Sequence, residues 1–301
     1  MRPSVPGRLA RSYLYVPADE AERLASAPHR GADAVIADLE DSVAESHKDH
    51  ALDNVIEWLN SPQPSSSELW VRVNPGQHGR EEVAALFHEN LSGICLPKVS
   101  DVEDIEGVAA LLDELEDVSA QSSPVSLMPL IESALAVQIL PDLARASRVL
   151  RLQIGEIDLA ADLGVEGGDE SSVLAFARAS VIVASAAAGL LPPVGAVSTD
   201  FRDLESFALS TRRQRQNGFV GRAAIHPAQI PVIHEVYAAS PDEINRAKGL
   251  VNQYDAALAS GNGVVLDQDG RMVDEAVVRQ SRRLLMLANL DNTHRDEEEP
   301  R

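Results

Sequence analysis

Ala34-Val35-Ile36-Ala37-Asp38-Leu39-Glu40-Asp41 is a short β-branched run that breaks off in carboxylates, and residues 48–59 behind it carry apolar positions at spacings of three and four. The first stretch predicts a strand and the second a helix. Working outward from this pair, the same alternation recurs along the chain. Strands are expected at residues 11–16, 34–38, 69–73, 93–97, 125–131, 149–155, 194–198 and 219–225. Helices are expected over residues 48–59, 83–90, 101–115 and 171–190. Such alternation is the signature of parallel β/α architecture. Eight units close into an α/β barrel of the (β/α)8 TIM type, whereas a doubly wound sheet usually has about five to seven strands. No Gly-x-Gly-x-x-Gly follows the first strand, which weakens the dinucleotide-binding alternative.

With 301 residues and 45% hydrophobic content, the chain holds enough apolar material for a sizeable core, and global disorder is not expected. Aromatics are only 4%, so that core must be built from Ala, Val, Leu and Ile, the types that fill a parallel barrel. Acidic residues outnumber basic ones 47 to 26, a formal net charge of −21. This argues against a nucleic-acid surface, which needs a basic stripe, and against an anionic membrane surface. A small anionic substrate stays compatible, because one arginine and one divalent cation reverse the potential locally. Cys95 is the single cysteine, so neither a disulfide within the chain nor a thiolate metal cluster is expected, and its apolar surroundings point to packing. No apolar stretch is long enough for a signal peptide or a membrane span, which points to a cytoplasmic protein.

Residues 1–240 accommodate the barrel, with Asn60-Ser61-Pro62-Gln63-Pro64-Ser65-Ser66-Ser67 as a loop by composition. Residues 241–301 do not fit the eightfold repeat. There, 241–260 read as a helix, Gly261-Asn262-Gly263 as a turn, 264–273 as a hairpin turning at Gln268-Asp269-Gly270, and 275–290 as a second helix. This segment is too short for a core of its own and is expected as a helical and hairpin extension, frayed over the charge-rich residues 291–301.

In a barrel the carboxyl ends of the strands face the active-site mouth. Here those ends read Asp38-Leu39-Glu40-Asp41, Arg72-Val73-Asn74-Pro75, Pro97-Lys98, Ile131-Glu132-Ser133, Gly155-Glu156-Ile157-Asp158 and His226-Pro227. Carboxylates converging on one mouth repel unless a cation sits among them. With no cysteine cluster and with scattered histidines, a hard oxygen-ligated ion is the natural choice, Mg²⁺ before Mn²⁺ or Ca²⁺. Two carboxylates on adjacent strands, with an arginine two strands earlier, suit an α-oxo or hydroxy acid that the metal chelates and the arginine clamps or polarises.

Arg11-Ser12-Tyr13-Leu14-Tyr15-Val16-Pro17, Ala34 to Val43, Val71-Arg72-Val73-Asn74, Leu96-Pro97-Lys98, Pro129-Leu130-Ile131-Glu132-Ser133, Asp158-Leu159-Ala160-Ala161-Asp162-Leu163-Gly164 and Ile225-His226-Pro227 follow one another along the chain. Together they resemble the citrate lyase β-subunit-like (CitE-like) group of the HpcH/HpaI aldolase superfamily. The resemblance implies a TIM barrel of the phosphoenolpyruvate/pyruvate type and an Mg²⁺-dependent carbon–carbon lyase, with Mn²⁺ as a substitute metal. It implies a malyl-, citramalyl- or citryl-thioester, CoA being the expected carrier, cleaved to or formed from an oxo acid and an acyl thioester. Carried over position by position, it implies Glu132 and Asp158 as metal ligands, Glu132 and Arg72 as substrate-binding residues, and Arg72 as a catalytic group on the oxo or carboxylate moiety. Asp38, Glu40, Asp41 and Lys98 are expected to support them. Gly270-Arg271-Met272-Val273-Asp274 matches the segment through which family members lend an aspartate to a neighbouring subunit. Asp274 is therefore the expected acid/base, the extension is expected to pack on a neighbour, and a homotrimer or hexamer is implied.

Plainer readings stand beside these. Asp38, Glu40 and Asp41 fit a helix N-terminal cap region as well as support of the metal. Lys48 reads as a surface residue of the following helix, His226-Pro227 as the cap of the eighth helix, and Asp162 as helix surface or site. The chain departs from the family at Ala18 where Gly is usual, at Ile157 where an acid often precedes the metal aspartate, at Gly195 where relatives carry Asp, and at Arg222 where Lys is common. These departures leave the acyl chain and its carrier open. The alternatives are a citrate lyase β-subunit acting on a carrier-protein thioester within a complex, and a non-catalytic barrel that binds a small acid.

Overall fold

The computed structural model describes residues 9–62, 67–119, 123–168, 171–267 and 270–298. The chain divides into two compact units, one spanning Ala10–Tyr237 and one built from residue 238 onward. In the first, eight parallel strands close into a barrel. They are β1 (Ser12–Pro17), β2 (Ala34–Asp38), β3 (Glu68–Arg72), β4 (Gly93–Leu96), β5 (Ser126–Ile131), β6 (Gln153–Ile154), β7 (Val194–Gly195) and β8 (Gly221–Ala224). The helices around them are α1 (Ala21–Ser26), α2 (Lys48–Asn60), α3 (Gly76–Leu86), α4 (Val102–Asp117), α5 (Ala134–Gln138), α6 (Leu140–Leu143), α7 (Glu156–Leu163), α8 (Ser172–Ala188), α9 (Leu204–Asn217) and α10 (Gln229–Tyr237). The fold class expected from the alternation is the one observed.

Side chains alternate across each strand, and the two sets pack separately. Tyr13, Ile36, Trp70, Met128, Leu130 and Val194 fill the barrel interior. Leu14, Val16, Val35, Ala37, Leu69 and Val71 pack outward against the helices. Two residues on from Tyr13, Ile36, Trp70 and Leu130 stand Tyr15, Asp38, Arg72 and Glu132. Period two therefore delivers those polar side chains to the barrel mouth without any further device.

β8 is three residues shorter than expected, and β6 and β7 are reduced to two residues each. Val149 makes only an isolated bridge to Leu127, and regular pairing of β6 starts at Gln153. Past Gly195 the Ala196 carbonyl accepts from the Arg222 side chain, and β7 pairs no further. α3 starts at Gly76, ahead of the expected 83, and ends at Leu86 rather than 90. Its opening Gly76-Gln77-His78-Gly79-Arg80 is polar and carries no apolar period, so the hydrophobic pattern alone misses it. The turn from His88 to Leu91 then leads the chain into β4.

In the second unit, α11 (Pro241–Ala259) starts on a capping box of Ser240 and Glu243. It is followed by the antiparallel pair β9 (Val265–Leu266) and β10 (Met272–Val273) and by α12 (Glu275–Glu298). Residues 268 and 269 of the expected turn lie outside the described residues. α12 runs on past residue 290 into the stretch expected to fray. Tyr254, Val273 and Val278 form the small apolar centre of this unit. Among the described residues, no helix is long and apolar enough to cross a membrane.

Candidate active site

A cavity of about 480 Å³ opens at the carboxyl ends of the strands, lined among others by Tyr15, Asp38, Asp41, Arg72, Glu132, Gln153 and Asp158. Arg72 is its fixed cation. Asp38 is its register partner on β2, and the two meet side-on, Nε and Nη2 each donating to an Asp38 carboxylate oxygen at 2.6 Å. Nη1 faces Glu40 at 3.1 Å, and the guanidinium lies 5.3 Å from the centre of the Tyr15 ring. Burial works against the charge on Arg72, but the Asp38 hydrogen bonds and charge, with Tyr15 and Glu40, outweigh it and raise its pKa further. Gln153 Nε2 donates to the Tyr15 hydroxyl at 2.8 Å and ties β6 to β1 across the mouth.

Lys98 links this cluster to Glu132. Its ammonium contacts Glu40 and donates to Asp41 at 2.9 Å. Its backbone is left-handed, with φ of 51°, a conformation that costs a non-glycine residue about 1–2 kcal/mol. In that conformation the Lys98 N–H donates to Glu132 Oε1 at 2.5 Å.

Glu132 is 5% exposed. Burial pushes its carboxyl up to about 7; the Lys98 amide opposes the rise, and the charges of Asp158 and Glu40 add to it. A divalent cation held by Glu132 and Asp158 would offset that rise, and two carboxylates suit a hard ion that keeps water and substrate oxygens. Among the described residues no group of three or more His, Cys, Asp or Glu side chains forms a metal cage. Asp158 lies in the first turn of α7, which is anchored by Glu156 pairing with Arg178 of α8, Nε to Oε1 at 2.8 Å. Gly155 leaves the space that Glu132 occupies: a Cβ there would stand 2.8 Å from Glu132 Cβ.

Arg72, Glu132, Asp158, Asp38 and Asp41 thus share one cavity, and Glu40 and Lys98 bind to its members. Asp38 is engaged by Arg72 and also accepts from Glu40 N at 3.0 Å, and Glu40 faces Arg72 and Lys98. Lys48 is a correction: it is buried, not a surface residue, and its ammonium donates to the Leu39 and Glu40 carbonyls and to Asn74 Oδ1. His226 Nδ1 accepts from Ala228 N ahead of α10, as a cap does, and its ring stacks on Phe201. Asp162 accepts from Ala134 N at the start of α5, a structural contact. Asp274 belongs to the second unit, where its carboxylate accepts from Ala276 N and Val277 N at the start of α12. Tyr15 and Gln153 were not singled out by sequence, although both occupy inward positions of their strands.

The departures from the family sort by place. Ile157 is exposed on the cavity wall. Ala18 is buried, with its N–H on Asp38 O and its carbonyl on Asn54. Gly195 and Arg222 are register partners and form one rearrangement. A Cβ at Gly195 would stand 2.0 Å from Gln214 Oε1, while Arg222 donates to Ala196 O, Phe207 O, Ser210 and Thr211. With no acid at 195, the arginine binds α9 through neutral oxygens.

Comparison with known proteins matches the same architecture. The profile of the HpcH/HpaI aldolase/citrate lyase family covers residues 11–227. The citrate lyase subunit beta of Leuconostoc mesenteroides subsp. cremoris is 31% identical over 289 residues, 95% of either chain. The L-malyl-CoA/beta-methylmalyl-CoA lyase of Cereibacter sphaeroides is 29% identical, over 96% of this chain and 98% of that one. Among solved structures, the protein CitE of Mycobacterium tuberculosis in complex with magnesium, acetoacetate and coenzyme A superposes with a TM-score of 0.74 at 27% identity, over 94% of this chain and 100% of that one. The protein described here belongs to the HpcH/HpaI aldolase/citrate lyase family.

Proposed function

We propose that this chain is an Mg²⁺-dependent carbon–carbon lyase acting on a β-hydroxyacyl-CoA such as malyl-, citramalyl- or citryl-CoA. The observation that carries it is one cavity at the strand ends lined by Arg72 on one wall and by Glu132 and Asp158 on the other, with burial pushing the Glu132 carboxyl up to about 7. Glu132 and Asp158 would hold the metal, which when bound supplies a Lewis acid for the oxo-acid oxygens. Arg72 binds the oxo or carboxylate group of the same fragment. In the cleavage direction the substrate hydroxyl loses its proton, the bond to the thioester α-carbon breaks, and its electron pair remains on that carbon as an enolate. A proton returned to the α-carbon completes the acyl-CoA, and the former hydroxyl carbon becomes the oxo group of the acid. Asp274, supplied by a second copy of the chain, is the acid/base for these transfers.

CoA is favoured over a carrier protein by the neighbouring cavity of about 640 Å³, which shares Tyr15, Pro17, Arg23 and Ile225 with the first. It adds Arg30 and the stacked Phe201–His226 rings, a basic and aromatic lining suited to a phosphorylated nucleotide. A CoA thioester substrate fits a cytoplasmic protein. A homotrimer or hexamer is supported by α8, whose outward residues Val173, Ala175, Phe176, Ala179 and Val183 carry no charge. Phe176 and Val183 are each 66% exposed, and an apolar outward face on a helix whose inner face already packs on the barrel suits a second copy. On a chain of net charge −21, an uncharged face is where a second copy docks without like-charge contact.

The test is a panel of malyl-, citramalyl-, citryl- and 3-hydroxy-3-methylglutaryl-CoA, with and without Mg²⁺. Metal-dependent cleavage of at least one supports the lyase, and no turnover in either direction sinks it. Mixing Arg72→Ala with Asp274→Ala subunits restores part of the activity if sites are shared between copies, and none if they are not. Phe176→Glu lowers the mass measured by light scattering if α8 is an interface.

A further inference from the structure

Lys48 opens α2, and its Nζ donates at 2.6 Å to Leu39 O, at 2.7 Å to Glu40 O and at 2.8 Å to Asn74 Oδ1. An ammonium has three N–H donors, and all three end on neutral oxygens. The counter-charge sits behind Asn74. Glu82 of α3 is 1% exposed and accepts from Asn74 N at 2.7 Å and from Asn74 Nδ2 at 2.6 Å. Nδ2 also donates to Leu39 O at 3.0 Å. A buried cation and a buried carboxylate are thereby bridged through a carboxamide.

Buried ion pairs are weak devices for stability, since apolar side chains of the same volume do as well or better. What this network supplies is position. Leu39 and Glu40 directly follow Asp38, and Asn74 lies two residues past Arg72. One ammonium therefore draws the ends of β2 and β3 to a common point, just behind the place where Asp38 and Glu40 close on Arg72. Of the five guanidinium N–H donors, two are taken by Asp38 while Nη1 stands 3.1 Å from Glu40 Oε2, and the direction of the rest is set by how that clamp is held.

We propose that Lys48 is a positioning residue for the reaction: by gathering the Leu39 and Glu40 carbonyls with Asn74, it fixes the carboxylate clamp that aims Arg72 at the oxo acid. The activity consequence rests on the lyase reading above; the aim of Arg72 does not. A shift of about 1 Å in a group that orients a reacting fragment costs about 10²-fold in rate.

The test uses Lys48→Met, Glu82→Gln and the double variant in the full-length chain. Lys48→Met is expected to lower kcat about 10²-fold while Mn²⁺ affinity at Glu132 and Asp158, read by electron paramagnetic resonance, is unchanged. Its melting temperature falls because Glu82 loses the charge of Lys48 and keeps only His78, 3.5 Å away and charged only when protonated, and the double variant recovers it. Activity does not return with stability, because the ammonium that gathers the Leu39 and Glu40 carbonyls with Asn74 is still missing. The Arg72 Nε–H resonance, identified by its loss in Arg72→Lys, shifts in both variants that lack Lys48. Wild-type kcat in Lys48→Met, activity returning with stability in the double variant, or an unmoved Arg72 resonance overturns the proposal. Absence of turnover by the wild-type protein would fail the lyase reading instead, and the resonance would still decide on Lys48.

Discussion

The two walls of the cavity are built on opposite principles. On the β2–β4 side, Asp38, Glu40, Asp41, Arg72 and Lys98 pair with one another, and Lys48, Asn74 and Glu82 brace them from behind. On the β5–β6 side, Glu132 takes the Lys98 amide and faces the like charges of Asp158 and Glu40. On the first wall every carboxylate is paired with Arg72 or Lys98 and is held rigid, while Glu132 and Asp158 on the second are paired with no cation among the described residues. A site that must hold an anionic fragment in fixed register and also recruit a cation needs both kinds of wall. The contrast makes a sharp statement about mutations: the same loss of activity on the two walls should come with opposite changes in stability.

Arg72→Ala is the strongest break. It removes the hydrogen bonds to Asp38 and strands that carboxylate in a buried setting, while Glu40 keeps Lys98. Deleting one partner of a buried pair typically costs about 3–5 kcal/mol, so the metal-free variant should melt well below the wild type. Turnover should fall about 10³-fold, since a donor aimed at developing charge is lost. Calorimetry beside steady-state kinetics checks both, and unchanged stability would mean the first wall is not held by this pair.

Glu132→Gln should also cost on the order of 10² to 10³ in rate, through lost metal, yet leave the metal-free fold as stable as before or more so. Burial, opposed by the Lys98 amide and reinforced by Asp158 and Glu40, raises Glu132 from 4.5 to about 7. A folded-state pKa above the unfolded one means that the folded chain holds a proton the unfolded chain releases. The stability this gives is complete below 4.5 and lost as pH rises through about 7. In chelator, the wild type should therefore lose melting temperature relative to Glu132→Gln as pH rises across that window, and Mg²⁺ should restore it. Parallel pH profiles for the two proteins would show that Glu132 carries no such burden.

How much of this was legible in sequence follows from where partners sit. Asp38, Arg72 and Glu132 are inward strand residues two places beyond Ile36, Trp70 and Leu130, so period two and a strand end suffice to find them. Lys48 escaped because its acceptors are two loop carbonyls and Asn74, groups that no spacing announces; a charged residue opening a helix reads as exposed. The early start of α3 escaped for a related reason. Gly79 and Glu82 are buried against Asn74 and not against an apolar face, so the hydrophobic period begins only at Val83. The Gly195 and Arg222 departures were visible as differences, but that they form one rearrangement with Gln214 depends on β7–β8 register, a tertiary fact.

Gly155→Ala is the mildest probe and the one that separates the two walls most directly. Gly155 has φ of −104°, which alanine adopts freely, so the only conflict is steric: 2.8 Å to Glu132 Cβ and 2.9 Å to Glu132 Oε2. Something must move by several tenths of an ångström. Glu132 Oε2 can swing away, but Cβ moves only with its backbone, so the chain just past the Ile131–Ile154 register must part slightly as well. Overpacking of this kind costs about 1 kcal/mol in stability, and a displaced ligand should weaken Mg²⁺ or Mn²⁺ binding about tenfold. The Arg72 Nε–H resonance should stay where it is, because the braced wall does not transmit so small a shift. If that resonance moves together with the metal affinity, the Lys98 link between Glu40 and Glu132 is stiff enough to make the two walls one unit, and the division between them would have to be abandoned.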